Sequence, residues 1–488
     1  MSRILFSHTY FQKLDPKQVA IGQPYAPLAT ITAAAVMREA GHQIALFDTQ
    51  FASGPGALRL EQDGKAPDYF VLYDDGFNYL TKMCLTNMRE AALEMIRMAR
   101  QKNIPILISS SDATDHVELY LDAGADFVLI GEAELTLREL TAALDAGKDF
   151  DTIPGLVYRK AEKIFSTAPR KVMSDLDTLP LPAWDLIDFT PYRDAWIKSS
   201  GYFSINLATT RGCPYKCNWC AKPIYGNRYN SRSPAHVVEE ILFLQTYSRF
   251  DHIWFCDDIF GLKPGWVVEF EALLRQKNIS ISYKIQSRAD LLVQDKYVKA
   301  LADSGCETVW LGAESGSQKI LDAMDKGTTV AQITESTRLL KQHGIHPAFF
   351  LQFGYPGETR EDIDATIRLV NELLPEDIGI SISYPLPGTK FHERVKEELT
   401  GKSNWTDSND LSLMFRNTYP PAFYRQLHRY VHKNYRKHQA FESLRQLFSP
   451  SGIRSRLTFY RAASAVYYVP AALLGKRKLK GLQLPSSH

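Results

Sequence analysis

Cysteine is scarce, with six residues in a chain of 488. That is no disulfide framework, and a reducing compartment would leave such thiols free for metal binding. No secretory signal is legible in "MSRILFSHTYFQ", which has one basic residue and too short an apolar run before Gln12 and Lys13. A long apolar span is missing too: Ala462 to Gly475 is fourteen residues with Pro470 inside it, short of the about 20 that cross a bilayer. A cytoplasmic location is the expectation. No G-x-G-x-x-G follows the first strand candidate, so a dinucleotide would lack its phosphate cradle. Acidic residues all but vanish from Tyr424 onward, where thirteen Lys and Arg face Glu442 alone. That region carries +12 and residues 1 to 423 about −10, so the net charge of +2 joins two unlike surfaces.

What is present suits a folded chain of roughly three domains, with 45% hydrophobic and 23% charged residues. In the first 145 residues, the runs "RILFSH", "QIALFD", "DYFVLY", "PILISS" and "DFVLIG" alternate with helical patterns, two of which stop at Gly41 and Gly124. Strands so rich in Ile, Val, Leu and Phe are expected buried on both faces of a doubly wound parallel sheet. Residues 146 to 200, with the proline-rich "SDLDTLPLPAWDLIDFTPY", read as an extended connector. From Gly201 six further strand and helix units follow, from "FSINLATT" to "DIGISISYPLPG", and suit an open partial barrel of the (β/α)6 kind over 201–395. Residues 396–488 turn irregular, then helical and basic.

Directly after the first strand of the second set, "TTRGCPYKCNWCAKP" spaces Cys213, Cys217 and Cys220 as C-x3-C-x2-C. Three thiolates can hold three corners of a cubane iron–sulfur cluster and leave the fourth iron open to a chelating amine and carboxylate. A zinc site completed by a distant His or Cys, in a regulatory or scaffold protein, is the alternative that spacing leaves open. Cys84, Cys256 and Cys306 read as core or near-core thiols.

These features together resemble the radical S-adenosylmethionine (SAM) enzymes over residues 200 to 390. The resemblance implies a 4Fe-4S cluster on Cys213, Cys217 and Cys220, SAM on its open iron, and an external electron donor of the flavodoxin or ferredoxin type. Trp219 matches the aromatic whose backbone meets the adenine, and in "FCDDIFG" Asp257 and Asp258 would face the methionyl amine. "QSRADLL" would offer Arg288 to the carboxylate. "WLGAESGSQKILDAMDKG" is similar to the fourth-strand signature of the branch carrying a cobalamin domain, with Glu314 and Ser315 as ribose or carboxylate contacts. "FGYPGET" and "PLPGTKFHE" resemble the last two strand ends.

Placed before such a domain, residues 1–145 resemble its Rossmann-like cobalamin-binding module. That implies nucleotide-tail contacts near Ser110, Ser111, Gly131 and Glu132, with Tyr25 and Asp75 nearest the corrin. One departure is plain: Phe6 and Phe11 stand where the cobalt-ligating D-x-H-x-x-G has its Asp and Gly. His8 is therefore expected to be an ordinary strand-end residue, with no protein histidine below the cobalt.

The C-terminal region admits an interfacial helix, with Tyr467, Tyr468, Leu473 and Leu474 in lipid headgroups and Lys476, Arg477, Lys478 and Lys480 on anionic lipid, or a helix packed on the barrel. At about 1 kcal/mol per cation the charges alone give only about millimolar affinity. Nucleic acid is disfavoured by the acidic remainder of the chain. The expected function is cobalamin-dependent radical C-methylation of a small or lipid-like substrate, one SAM generating a 5′-deoxyadenosyl radical and another recharging the cobalamin; radical cyclisation or rearrangement is the alternative. No residue is assigned as hydrogen donor or substrate acid or base. Anaerobic reconstitution is expected to load about four each of iron and sulfide and to load neither after alanine replacement of Cys213, Cys217 or Cys220; stoichiometric zinc would identify a closed metal site instead.

Overall fold

The five apolar runs of the first 145 residues become β1 (Arg3–Ser7), β2 (Gln43–Phe47), β3 (Tyr69–Tyr73), β4 (Ile106–Ser109) and β5 (Phe127–Leu129) in a computed structural model that describes residues 1–61, 64–222, 224–399, 401–402, 404–449 and 455–482. They pair in parallel in the order β2-β1-β3-β4-β5, the doubly wound arrangement whose direction reverses between β1 and β3. The crossover helices cover both faces. Thr86–Gln101, for one, buries Met88, Ala91, Ala92, Met95, Ile96 and Ala99, a stripe at spacings of three and four. Gly124 caps its helix in the left-handed conformation, φ 113°.

The stretch 146–200 is more than a connector. Its first part adds two antiparallel strands, β6 (Leu156–Lys160) and β7 (Lys163–Ser166), to the β5 edge. Ala161 and Glu162 both sit at positive φ, 47° and 61°, between them. β7 is exposed along its whole length, so it carries no burial pattern by which sequence could announce it. The second part forms the helix Phe189–Ser200, capped by Asp188 and closed by Gly201. Two fully buried indoles make this stretch a clamp: Trp184 donates to Glu240 Oε1 at 2.9 Å, and Trp196 to the Pro24 carbonyl at 2.7 Å.

The second set of strands is β8 (Ser204–Leu207), the short antiparallel pair β9 (Thr210–Arg211) and β10 (Asn230–Ser231), then β11 (His252–Phe255), β12 (Tyr283–Ser287), β13 (Cys306–Glu314), β14 (His346–Phe353) and β15 (Asp377–Ile382). Six of them run parallel in unbroken sequence order, β8-β11-β12-β13-β14-β15, with helices such as Pro234–Tyr247, Trp266–Gln276, Val330–Gln342 and Arg360–Leu373 between them, an open (β/α)6 half-barrel. Cys84, Cys256 and Cys306 are buried in the body of the fold.

The basic C-terminal region packs first and is exposed afterwards. Helix Pro421–Phe448 buries Phe423, Tyr424, Leu427, Tyr430, Val431 and Tyr435, and the Tyr435 hydroxyl donates to the Pro375 carbonyl at 2.8 Å. Helices Arg456–Ala463 and Ala465–Gly481 fold back on it.

A buried cation ties the two sheets together. Arg211 of β9 reaches Glu132 at 2.5 Å and Glu134 at 2.7 Å, both just beyond β5, and all three side chains are at most 5% exposed. Burial raises the Glu132 carboxyl, and the Arg211 guanidinium opposes that rise. Arg211→Met strands two carboxylates in the interior and is expected to destabilise the protein by about 3 to 5 kcal/mol in urea unfolding. Adding Glu132→Gln and Glu134→Gln should recover most of the loss, and an unchanged midpoint in the single variant would show the cluster to be dispensable.

Candidate active site and cofactor cavity

The C-terminal ends of the two sheets face each other across a cavity of about 740 Å³. One wall comes from the first sheet: Tyr10 and Gln12 after β1, Gln50 after β2, Asn78 and Tyr79 after β3, and Tyr25 ahead of helix Leu28–Glu39. The other is the half-barrel mouth, with Cys213, Cys217, Trp219 and Cys220, Asp258 after β11, Arg288 after β12 and Glu314 at the end of β13.

The cysteine loop is built to hold its shape. β9 and β10 close its base. Gly212 sits there at φ 77°, where a Cβ would come within 2.2 Å of the Arg228 carbonyl, so only glycine fits. Lys222 donates to the Tyr215 carbonyl and to Asn227. Between the second and third cysteines the buried Asn218 anchors the loop to the barrel. Its amide donates to the Ala323 carbonyl at 2.8 Å, its side-chain oxygen accepts from the Tyr355 hydroxyl at 2.9 Å, and its backbone pairs with Met324 and Phe391. Burial raises the Cys213 thiol and pushes Cys220 up to about 12, so loading with metal must release protons. Among the described residues no three His, Cys, Asp or Glu side chains close on a single metal ion. A cubane offers its irons at separate corners, so three thiols around a cavity need not share one point. Three buried donors in the lining, Trp219 Nε1 and Ser287 Oγ on the barrel wall and Tyr10 Oη on the facing wall, have no hydrogen-bond partner among the described residues, as expected where ligands are to complete both sides.

Arg288 stands against the cluster loop. Its guanidinium lies 3.6 Å from the Tyr215 ring centre, bonds Asp290 and the Lys326 carbonyl, and comes to 3.9 Å from Cys217 Sγ. Glu314 adopts φ 55°, rare for a non-glycine residue, beside a register shift of β13. Its carboxylate accepts from Lys326 at 2.8 Å, and both side chains are 7% exposed. Asp258 pairs with Lys82 of the first domain at 2.7 Å.

Other sequence-expected residues lie outside the cavity lining. Asp257 accepts from the Thr209 and Thr210 amides and the Thr209 hydroxyl, and so braces the turn that leads into the cysteine loop. Ser315 is fully buried against Thr366. Asp75 accepts from Ala29 N and Phe77 N, Ser110 caps the helix that begins at Ser111, and Glu132 is taken by Arg211. Above Gly131 and Gly76 lie Ile224 and Tyr225 of the cysteine loop. His8 is held by Asp48 at 2.9 Å and Thr49 at 3.0 Å. Tyr215, Asn218 and Lys326 were not singled out by sequence. Asn218 sits between two of the cysteines and Lys326 is the last residue but one of the quoted β13 motif, so position was the available signal.

Residues 207–370 match the Radical SAM superfamily. The chain is 32% identical to an uncharacterized methyltransferase of Pyrococcus horikoshii, over 57% of this chain and 60% of that protein, so the match spans less than two thirds of that relative's length. It is 26% identical to the hopanoid C-3 methylase of Methylococcus capsulatus over 89% of this chain and 82% of that one. In fold it is similar to the cobalamin-dependent S-adenosylmethionine radical enzyme OxsB solved with aqua-cobalamin, at TM-score 0.75 and 16% identity, covering 98% of this chain and 72% of that one.

Asn218→Ala is expected to release the loop between Cys217 and Cys220. Iron retained after anaerobic reconstitution and desalting should fall several-fold while the far-ultraviolet spectrum of the apoprotein is unchanged; full retention would show that the anchor does not position the thiols.

Proposed function

We propose that this chain, a radical SAM protein through residues 207–370, is an enzyme that uses a 4Fe-4S cluster, SAM and cobalamin to methylate an unactivated carbon of a small or lipid-like substrate. One observation carries the reading: a single cavity has all three cysteines on one wall and the strand ends of a doubly wound sheet on the other. The hopanoid C-3 methylase relative and the cobalamin-bound fold relative support it. When bound, the cluster would supply the electron that cleaves SAM and the cobalamin would carry the methyl group.

The chain's own residues divide that work. Cys213, Cys217 and Cys220 would hold the cluster; Arg288, already fixed by Asp290 and stacked on Tyr215, would meet a carboxylate; Trp219, Asp258 and Glu314 would complete the SAM site. Asp257 and Ser315 position this wall through the backbone turns they brace. Tyr10, Gln12, Gln50 and Asn78 would face a bound corrin, with Asp75, Ser110, Ser111, Gly131 and Glu132 at the strand ends behind them, while Tyr25, bonded to Ser204 at 3.2 Å, lines the deep end of the same cavity. His8, spent on Asp48 and Thr49, is not available to cobalt.

No helix among the described residues is long and apolar enough to cross a membrane. Peripheral contact is a separate part of the proposal. Helix Ala465–Gly481 packs inward through Ala472, Gly475 and Leu479, yet Val466 is 84% and Leu473 60% exposed, beside exposed Lys476, Arg477 and Lys478. An apolar face rimmed by cations fits an anionic phospholipid surface.

Reduced, reconstituted protein is expected to form 5′-deoxyadenosine from SAM, and with substrate also S-adenosylhomocysteine and a product heavier by one methyl. 5′-Deoxyadenosine with no methylated product would favour cyclisation or rearrangement, and no cleavage at all would overturn the radical reading. The triple variant Val466→Glu, Leu473→Glu, Leu474→Glu should lose at least tenfold in co-sedimentation with phosphatidylglycerol vesicles while SAM cleavage is unchanged; equal sedimentation would refute lipid docking.

A further inference from the structure

Deep in the same cavity lies a cation that none of the roles above employs. β12 presents Lys284 and Gln286 to the cavity on one face, with Arg288 continuing the row at its end. Arg288 stands at the cysteines, so Lys284 lies four residues, about 13 Å, further down the barrel. Its ammonium is caged by three aromatic rings, 5.5 Å from the centre of Tyr25, 5.7 Å from Trp196 and 5.6 Å from Trp254. The other cations of the cavity are engaged: Lys82 by Asp258, Arg288 by Asp290, Lys326 by Glu314, Lys17 by the Ser408 carbonyl, Lys222 by Asn227. Lys284 has no carboxylate partner and no hydrogen-bond acceptor among the described residues, and burial alone pulls it down to about 8. It therefore remains mostly protonated at neutral pH. Ring faces attract such a cation but do not replace the hydration it has lost.

The surroundings explain what could complete it. The parallel register sets Trp254 beside Lys284. Further round the floor, Trp310 and Phe350 stack at 4.7 Å and 24°. Gly379 of β15 leaves those two rings bare, since a Cβ there would come to 3.3 Å of each. The floor thus joins five aromatic rings to one positive charge that has no acidic partner among the described residues.

We propose that this floor is the substrate subsite, in which the Lys284 ammonium pairs with the carboxylate of a largely apolar acid whose hydrocarbon lies on Trp254, Trp310 and Phe350. A single cation answers a single negative charge; the second charge of a phosphate monoester would find Asp377, also in the lining, and no further free cation among the described residues there. The spacing along β12 sets the reacting carbon roughly a strand's length, about 13 Å, from the acid group. The inference rests on the radical SAM reading for which end of the substrate reacts, whereas the binding stands on the floor alone.

The test uses the full, anaerobically reconstituted chain with two probes of one ring system, pyrenebutyrate and the uncharged pyrenebutanol. Calorimetry is expected to show the acid binding at least tenfold tighter than the alcohol. Lys284→Met should erase that preference while leaving the alcohol within about twofold, and Lys284→Arg should keep it. Dodecyl phosphate should gain no comparable benefit from Lys284. On the unaltered protein, saturating pyrenebutyrate should protect Lys284 from acetic anhydride, read by mass spectrometry, so the outcome does not depend on any variant folding. Equal affinity for the two probes, a preference that survives Lys284→Met, a matching Lys284-dependent gain for dodecyl phosphate, or unprotected acetylation would each overturn the assignment. Absence of 5′-deoxyadenosine formation would sink the catalytic reading instead and leave these binding results to stand.

Discussion

The loop from Gly212 to Tyr229 has to touch both domains at once, and the rest of the site depends on how it is held. At its base Arg211 is sunk between Glu132 and Glu134 of the first domain. At its middle Asn218 is bonded to the half-barrel. Beyond the third cysteine, Tyr225 stacks on Phe77 at 5.5 Å and lies under the Arg211 guanidinium. Either sheet alone would leave half of these groups unpaired, and buried polar groups without partners are expensive. The thiols are therefore positioned by the docking of two domains as much as by their own spacing.

Three tryptophans serve that docking in different ways. Trp184 and Trp196 each spend their N–H on the opposite partner, Glu240 and Pro24, and so fix residues 176–200 as a brace along the interface. Trp219 keeps its N–H in the cavity with no partner among the described residues. The first two act as structure and the third as part of a surface still to be completed. The same division runs through the charges: Arg211 is paired on both sides and locks the domains, while Lys284 has no carboxylate partner among the described residues and lines the cavity.

The C-terminal region shows why a packed helix and a membrane face need not compete. Leu479 and Gly475 meet helix Pro421–Phe448, but the first turns of helix Ala465–Gly481 carry more apolar surface than one neighbour can cover, and Val466, Leu473 and Leu474 are left facing solvent.

Strand and helix alternation, the parallel sheets, the three thiols and the residues at the half-barrel mouth were legible in the chain because each rests on local patterning: apolar runs buried on both faces, turn glycines, and a cysteine spacing whose chemistry is local. What sequence could not show is which side of a turn a carboxylate takes. Asp257 and Asp258 are neighbours, yet one braces backbone amides and the other faces the cavity. Glu132 is drawn to Arg211, 79 residues away. The hairpin β6–β7 escaped because an exposed edge strand carries no burial pattern. Lys284 looked like any strand lysine until Tyr25, Trp196 and Trp254, from three separate segments, closed around it. The sequence by itself determined most of the elements and the spacing of the three thiols, since both depend on residues close together in the chain; the pairing of charges was decided by the tertiary structure, since electrostatic partners are chosen by distance in space.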